Sequence, residues 1–166
     1  MTATVPPPLP LDVVLRQAIA HHQAGRLQEA ERLYRAVLQT QPYQPDANHN
    51  LGVLAGQVGQ HAAGLPYLKA ALSVNPAQGQ YALSYAEALL ATGQAREAVS
   101  VLQAAMQRGL NSPAALALRQ KAEVAALNSA AKGEAPTPIE MNELVGLFNA
   151  GRYVELESLA RLLVER

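Results

Sequence analysis

Gly25, Gly59 and Gly93 recur every 34 residues, and five positions after each stands a small residue, Ala30, Gly64 or Ala98. Pro42 and Pro76 keep the same interval, with Leu110 in the third place. A period of this length belongs to a single supersecondary unit that cannot cover its own apolar face and must stack on its neighbour. Stacked units build an extended surface for another molecule. The spacing alone therefore points to a binding scaffold, and it leaves the ligand open.

Between these punctuation marks the apolar residues follow helical spacing. In the first unit Val14, Leu15, Ala18 and Ile19 precede Gly25, and Leu27, Ala30, Leu33, Tyr34, Val37 and Leu38 follow it up to Pro42. The second unit repeats the plan from Leu51 to Pro76 around Gly59, and the third from Tyr85 to Met106 around Gly93. Ala18, Gly52 and Ala86 on the first helices, with Ala30, Gly64 and Ala98 on the second, mark where each pair must approach closely. The second copy departs from its neighbours in carrying Pro66 within its second helix. Read as a first-turn residue, that proline costs little, yet Gly64 and Pro66 together predict the softest helix of the array.

The motif Gly-x-x-x-Glu-Ala (Gly25 to Ala30, Gly93 to Ala98), with Tyr34 or Leu102 four residues later and a proline near the unit's end, resembles the tetratricopeptide repeat. The resemblance covers Leu11 to Leu110 in three copies, with a partial copy at Thr137 to Arg166. It implies an all-α fold, a right-handed superhelical array of antiparallel helix pairs. The division expected is a disordered lead-in over 1–10, three repeats over 11–110, a capping helix over 111–131 opened by Ser112-Pro113, a linker over 132–138, and a partial fourth repeat over 139–166. That last hairpin is rich in Leu and carries Phe148, and no further repeat covers it. A fragment of a longer protein that self-associates through its last two helices is the expectation.

Composition removes several function classes. Thirteen basic and thirteen acidic residues cancel, so neither nucleic acid nor an anionic membrane is indicated as a partner. The absence of cysteine rules out disulfides and thiolate chemistry and agrees with a cytoplasmic protein. The first ten residues hold four prolines and form neither a signal peptide nor a membrane span.

No residue pattern suggests an active site. His21 and His22 are helix neighbours whose side chains diverge. No thiolate or paired carboxylates accompany them, so no metal and no cofactor is expected, with one histidine partly buried and three solvated. Glu29, Glu31 and Glu97 sit at helix starts, where the dipole favours them. Phosphate loops, nucleophile elbows and catalytic triads are missing. The chain reads as a non-enzyme, with room for a catalytic domain beyond Arg166.

The resemblance further implies that the first helix of each pair lines a concave groove. Carried onto this sequence, the groove wall is Asp12, Leu15, Ile19, His22 and Gln23 from the first repeat. The second repeat supplies Asp46, His49, Asn50, Val53 and Gln57, and the third Gln80, Leu83, Ser84, Glu87 and Leu90. It lacks the Lys and Arg cluster with which such repeats clamp a C-terminal carboxylate, so a peptide or partner helix laid in the groove is the expected occupant. The array is also similar to the repeat regions in front of bacterial glycosyltransferases of the O-linked N-acetylglucosamine transferase type, in which a ladder of asparagines holds the acceptor backbone. Asn50 and Asn142 match that ladder, while Arg16 and Ser84 take its other two rungs. This alternative implies an acceptor-docking arm whose catalytic domain is absent here.

Overall fold

The computed structural model of the 166-residue chain describes residues 10–131 and 138–164. The expected lead-in over 1–9 and the linker over 132–137 lie outside the described residues. Each 34-residue unit is a helix pair: α1 (Leu11–Gln23) with α2 (Leu27–Thr40), α3 (Pro45–Gln57) with α4 (His61–Val74), and α5 (Gly79–Ala91) with α6 (Ala95–Gln107). Beyond them come α7 (Pro113–Ala131), α8 (Pro138–Asn149) and α9 (Tyr153–Val164). Among the described residues the fold is all-α, nine helices with no strand.

The periodic glycines are turn devices. Gly25, Gly59 and Gly93 adopt φ of 72°, 77° and 79°, the left-handed region that only glycine enters freely. After each, the chain closes the helix with a long-range cap bond: Arg26 N–H to His21 O at 2.9 Å, Gln60 N–H to Ala55 O at 2.8 Å, and Gln94 N–H to Leu89 O at 2.8 Å. This is the Schellman arrangement, which satisfies carbonyls at the helix end and reverses the chain. Gly151 repeats it between α8 and α9, with φ of 68° and an Arg152 N–H to Leu147 O bond of 3.0 Å.

The small residues sit where predicted. Ala18, Ala30, Ala86 and Ala98 are fully buried, and the middle pair is closer still. A Cβ placed on Gly64 would stand 2.8 Å from the Gly52 carbonyl oxygen, and one on Gly52 would stand 2.5 Å from Leu68 Cγ. In the third unit Leu110, in the place of the missing proline, lies against the start of α5, 2.6 Å from where a Gly79 Cβ would be.

Pro66 falls differently from the sequence expectation. It is the sixth residue of α4, inside the helix rather than in its first turn. The carbonyl of Ala62 thus loses its intrahelical donor, and Ala62 is exposed, so water can serve it. Gly64 is what lets α4 lie against α3.

Two hydrophobic cores follow the stacking. Tyr34, Val37, Leu51 and Leu54 centre the first, and Leu68, Leu89 and Leu102 the second, which Ala122 and Leu118 of α7 extend. Ser112 caps α7 by accepting from Ala115 N–H at 3.2 Å, as the Ser-Pro pair predicts. By packing, one compact unit ends at Ala122 and a second begins at Glu123, so the division falls within α7.

Gly64→Ala should lower the unfolding free energy by about 1–3 kcal/mol, because the added methyl must push two helix backbones apart. Urea denaturation followed by circular dichroism reads this, and an unchanged midpoint would show that the α3–α4 approach is not stabilising.

Candidate functional site

The first helices of the three pairs share a face, and side-chain bonds run along it from repeat to repeat. His22 Nε2 meets Gln57 Oε1 at 2.9 Å, His49 Nε2 meets Ser84 Oγ at 3.0 Å, and the Tyr81 hydroxyl donates to Asp46 Oδ1 at 2.5 Å. All three pairs are 35 residues apart, one period plus one position. Each links α1 to α3 or α3 to α5, so the face is tied by polar contacts as well as by its apolar underside.

Within the repeats a second set of bonds crosses from first to second helix. His22 Nδ1 lies 3.3 Å from the hydroxyl of fully buried Tyr34, and the Tyr85 hydroxyl donates to Glu97 Oε1 at 2.8 Å. Burial pushes the Tyr34 hydroxyl up to about 12. Burial first, and then the bond to the Glu97 carboxylate, takes Tyr85 to about 12 as well. Tyr81 is raised by burial and by its bond to Asp46. These phenols stay protonated and serve as fixed hydrogen-bond groups.

His49 is at the centre. Its ring stacks on Tyr81 with centroids 4.8 Å apart. Burial holds its pKa below the ordinary value, and the charge of His22 adds to that; the hydrogen bond to Asn50 and the Asp46 carboxylate oppose it. His49 is thus a neutral imidazole near pH 7, and its Nε2 pairs with a hydroxyl that can donate or accept.

Beside His49 opens a cavity of about 410 Å³ between α3, α4 and α5. Six expected groove residues border it: His49, Val53, Gln57, Gln80, Ser84 and Glu87. Gly52, Gly56, His61, Leu68 and Ala88 complete the wall. No Lys or Arg lines it, and the exposed Glu87 carboxylate makes no hydrogen bond or ion pair among the described residues.

The other expected groove residues lie elsewhere. Asp12 and Leu15 border a second cavity of about 450 Å³ with Val37, Gln41 and Gln44. Asp46 is engaged with Tyr81 and Asn50 with His49. Ile19, Leu83 and Leu90 are partly buried against the two cores, while Gln23 is exposed. Of the other ladder rungs, Arg16 pairs with Asp12 at 2.9 Å and Ser84 is buried on His49.

Sequence reasoning missed Gly56 and His61. The resemblance directed attention to side chains on first helices, whereas here a missing side chain on α3 and a histidine opening α4 shape the wall. The available signal was Gly52 and Gly56, four apart and so on one helix face. The histidines also differ from expectation: all four are partly buried, and His21 accepts from Arg26 Nε at 2.9 Å. No group of three or more His, Cys, Asp or Glu residues among the described residues could hold a metal. No helix among them is long and apolar enough to cross a membrane.

Two sequence profiles, both described as tetratricopeptide repeat, match residues 57–122 and 4–45. No curated protein matches the chain significantly. Among solved structures the chain is similar to the first repeat domain of Spaghetti (RPAP3) bound to an HSP90 peptide, at 17% identity and a TM-score of 0.66, covering 70% of this chain and 93% of that one. It is similar to the type III secretion translocator chaperone SycD of Yersinia enterocolitica at 20% identity and a TM-score of 0.62, with 72% and 85% covered. An O-GlcNAc transferase of Thermobaculum terrenum matches at 22% identity and a TM-score of 0.61, with 76% of this chain covered but only 28% of that one.

A histidine buried in its neutral form must be charged to unfold at low pH. Its unfolded form binds a proton below the ordinary value of 6.5 that the folded form refuses, so stability present above that pH is lost as pH falls. His49→Gln should therefore flatten the loss of stability between about pH 7 and 5, measured as urea midpoints. Parallel slopes in the two proteins would refute the assignment.

Proposed function

The chain is a tetratricopeptide repeat protein, and on that premise we propose that it is a protein-interaction scaffold whose groove, along α1, α3 and α5, binds a peptide or partner helix. The observation that supports this is the cavity beside His49, where side chains from two successive repeats converge on one opening. Its mix of apolar wall and amide, imidazole and hydroxyl groups suits a peptide, whose backbone needs both donors and acceptors and whose side chains need apolar contact. Binding, not catalysis, is the chain's own role in this reading, and it requires no cofactor. The cytoplasm is the compartment we propose, since a cysteine-free chain has nothing to gain from an oxidising one.

The neighbours inform this by analogy. RPAP3 binds an HSP90 peptide, SRMEEVD, and SycD is a translocator chaperone. An acidic tail of the HSP90 kind is a poor ligand for a cavity without Lys or Arg. The docking-arm alternative relies on amide rungs, and two of its four positions here are Arg16, paired with Asp12, and Ser84, paired with His49. The scaffold reading is therefore preferred.

Peptides selected on the whole chain should lose affinity at least about tenfold on Val53→Asp, which puts a charge in the apolar wall, and should be indifferent to Lys69→Ala on α4. Fluorescence anisotropy measures both, and equal effects would remove the groove from the proposal.

The second unit favours a further contact. On α8 and α9, Met141, Val145, Phe148, Tyr153 and Val154 are 50–80% exposed, and Phe148 and Tyr153 pair edge to face with centroids 6.2 Å apart. Such a surface marks an interaction site, and we propose that it joins two copies of the chain. Light scattering should give a dimer mass for the chain and a monomer mass for Phe148→Ser with Val154→Glu; a monomer for both ends the idea.

A further inference from the structure

The charge around the cavity beside His49 bears on which side chain it would take, a reading that rests on the groove being the peptide-binding face. Val53, Leu68 and Ala88 supply its apolar wall. At that wall stands Glu87, exposed and without a partner among the described residues. The other polar groups of the wall, His49, Gln57, His61, Gln80 and Ser84, include no Lys or Arg. Gln80 directs its amide N–H toward Ser84 Oγ at 3.5 Å, which leaves its carbonyl oxygen for a ligand. A volume of about 410 Å³ is room for a long side chain together with water, whose share is about 30 Å³ per molecule.

The charge balance of the helices points the same way. On α1, α3 and α5 the charged residues are Asp12, Asp46 and Glu87 against Arg16 alone, and Arg16 is already paired with Asp12 at 2.9 Å. On α2, α4 and α6 the balance reverses: Arg32, Arg35, Lys69 and Arg96 exceed Glu29, Glu31 and Glu97. A cationic ligand is drawn to the first-helix face and an anionic one turned from it.

We propose that this cavity receives a Lys or Arg side chain of the bound peptide, its aliphatic stem along Val53, Leu68 and Ala88 and its cationic head on the Glu87 carboxylate. A long basic side chain suits such a site because its stem is apolar and only its tip needs a counter-charge. Gly56 keeps the cavity open. A Cβ there would already stand 3.3 Å from His61 Nδ1, so a larger side chain takes the ligand's room.

A random twelve-residue peptide library displayed on phage, selected on the whole chain and on Glu87→Lys, tests this. Peptides recovered on the unaltered chain should carry a Lys or Arg whose replacement by norleucine weakens binding about tenfold. The same loss should follow Glu87→Gln, and it should shrink as salt rises. Glu87→Lys should instead enrich peptides with Asp or Glu. Because Glu87 is exposed and unpaired, its variants should melt with the unaltered chain. Peptides that lose affinity on Val53→Asp but tolerate both norleucine and Glu87→Gln would overturn the basic-residue pocket and leave the groove in place. Peptides indifferent to Val53→Asp and Glu87→Gln alike would overturn the groove, and the pocket with it.

Discussion

The backbone contact between α3 and α4 is the constraint from which the rest of the repeat unit follows. With no side chain at Gly52 or Gly64, the carbonyl of Gly52 approaches the Cα of Gly64 so closely that a methyl group would collide at 2.8 Å. The outer pairs use alanine at the same offsets, Ala18 with Ala30 and Ala86 with Ala98, all fully buried. Thin contacts of this kind let each pair pack as a flat plate, and plates stack. Larger residues, Leu51, Leu54, Leu68, Leu89 and Leu102, then fill the space around those contacts. Only because the plates stack in register do residues 35 apart come within hydrogen-bond reach along the first helices.

Much of this was legible in the sequence because its causes are local. A glycine at positive φ, a small residue five positions later and a helical apolar stripe each leave a mark within one unit, so the three helix pairs and their turns stand where the spacing puts them. Pro66 was misplaced by a few residues for the ordinary reason that a helix's first residue is set by its cap, and Gln60 gives no side-chain cap bond to announce it. The site was less legible. A list of first-helix positions cannot distinguish Ser84, buried on His49, from Glu87, unpaired in water, because the difference arises from which repeat each side chain meets. Gly56 and His61 escaped for a related reason: a cavity is made by what is absent from one helix and by what a second helix places behind it.

The buried polar groups show how a small-residue array keeps a defined wall. Asn48 is 3% exposed, and its amide donates to the carbonyls of Pro42 at 2.9 Å and Gln44 at 3.0 Å, fixing the loop that delivers α3. The phenols of Tyr34, Tyr81 and Tyr85 reach a histidine, an aspartate and a glutamate in turn. No buried side-chain N or O among the described residues lacks a partner. An unpaired polar group would cost about 1–3 kcal/mol in such a setting, so the bonds hold each helix at one rotation and carry specificity more than net stability.

That division of labour explains why the wall can be polar and still rigid. Two of the three bonds between repeats join α3 to α5, the helices on either side of the His49 cavity. Ser84 and Asp46 are consumed in that bracing, and His49 is stacked on Tyr81 besides. What the bracing leaves unused at the proposed site is the carboxylate of Glu87 and the carbonyl of Gln80, set against an apolar surface that the bracing keeps in place. A groove that had to order its own side chains on binding would lose affinity to that ordering. Here the repeat contacts have already met that cost during folding, so the recognition of a partner rests on the few groups left over.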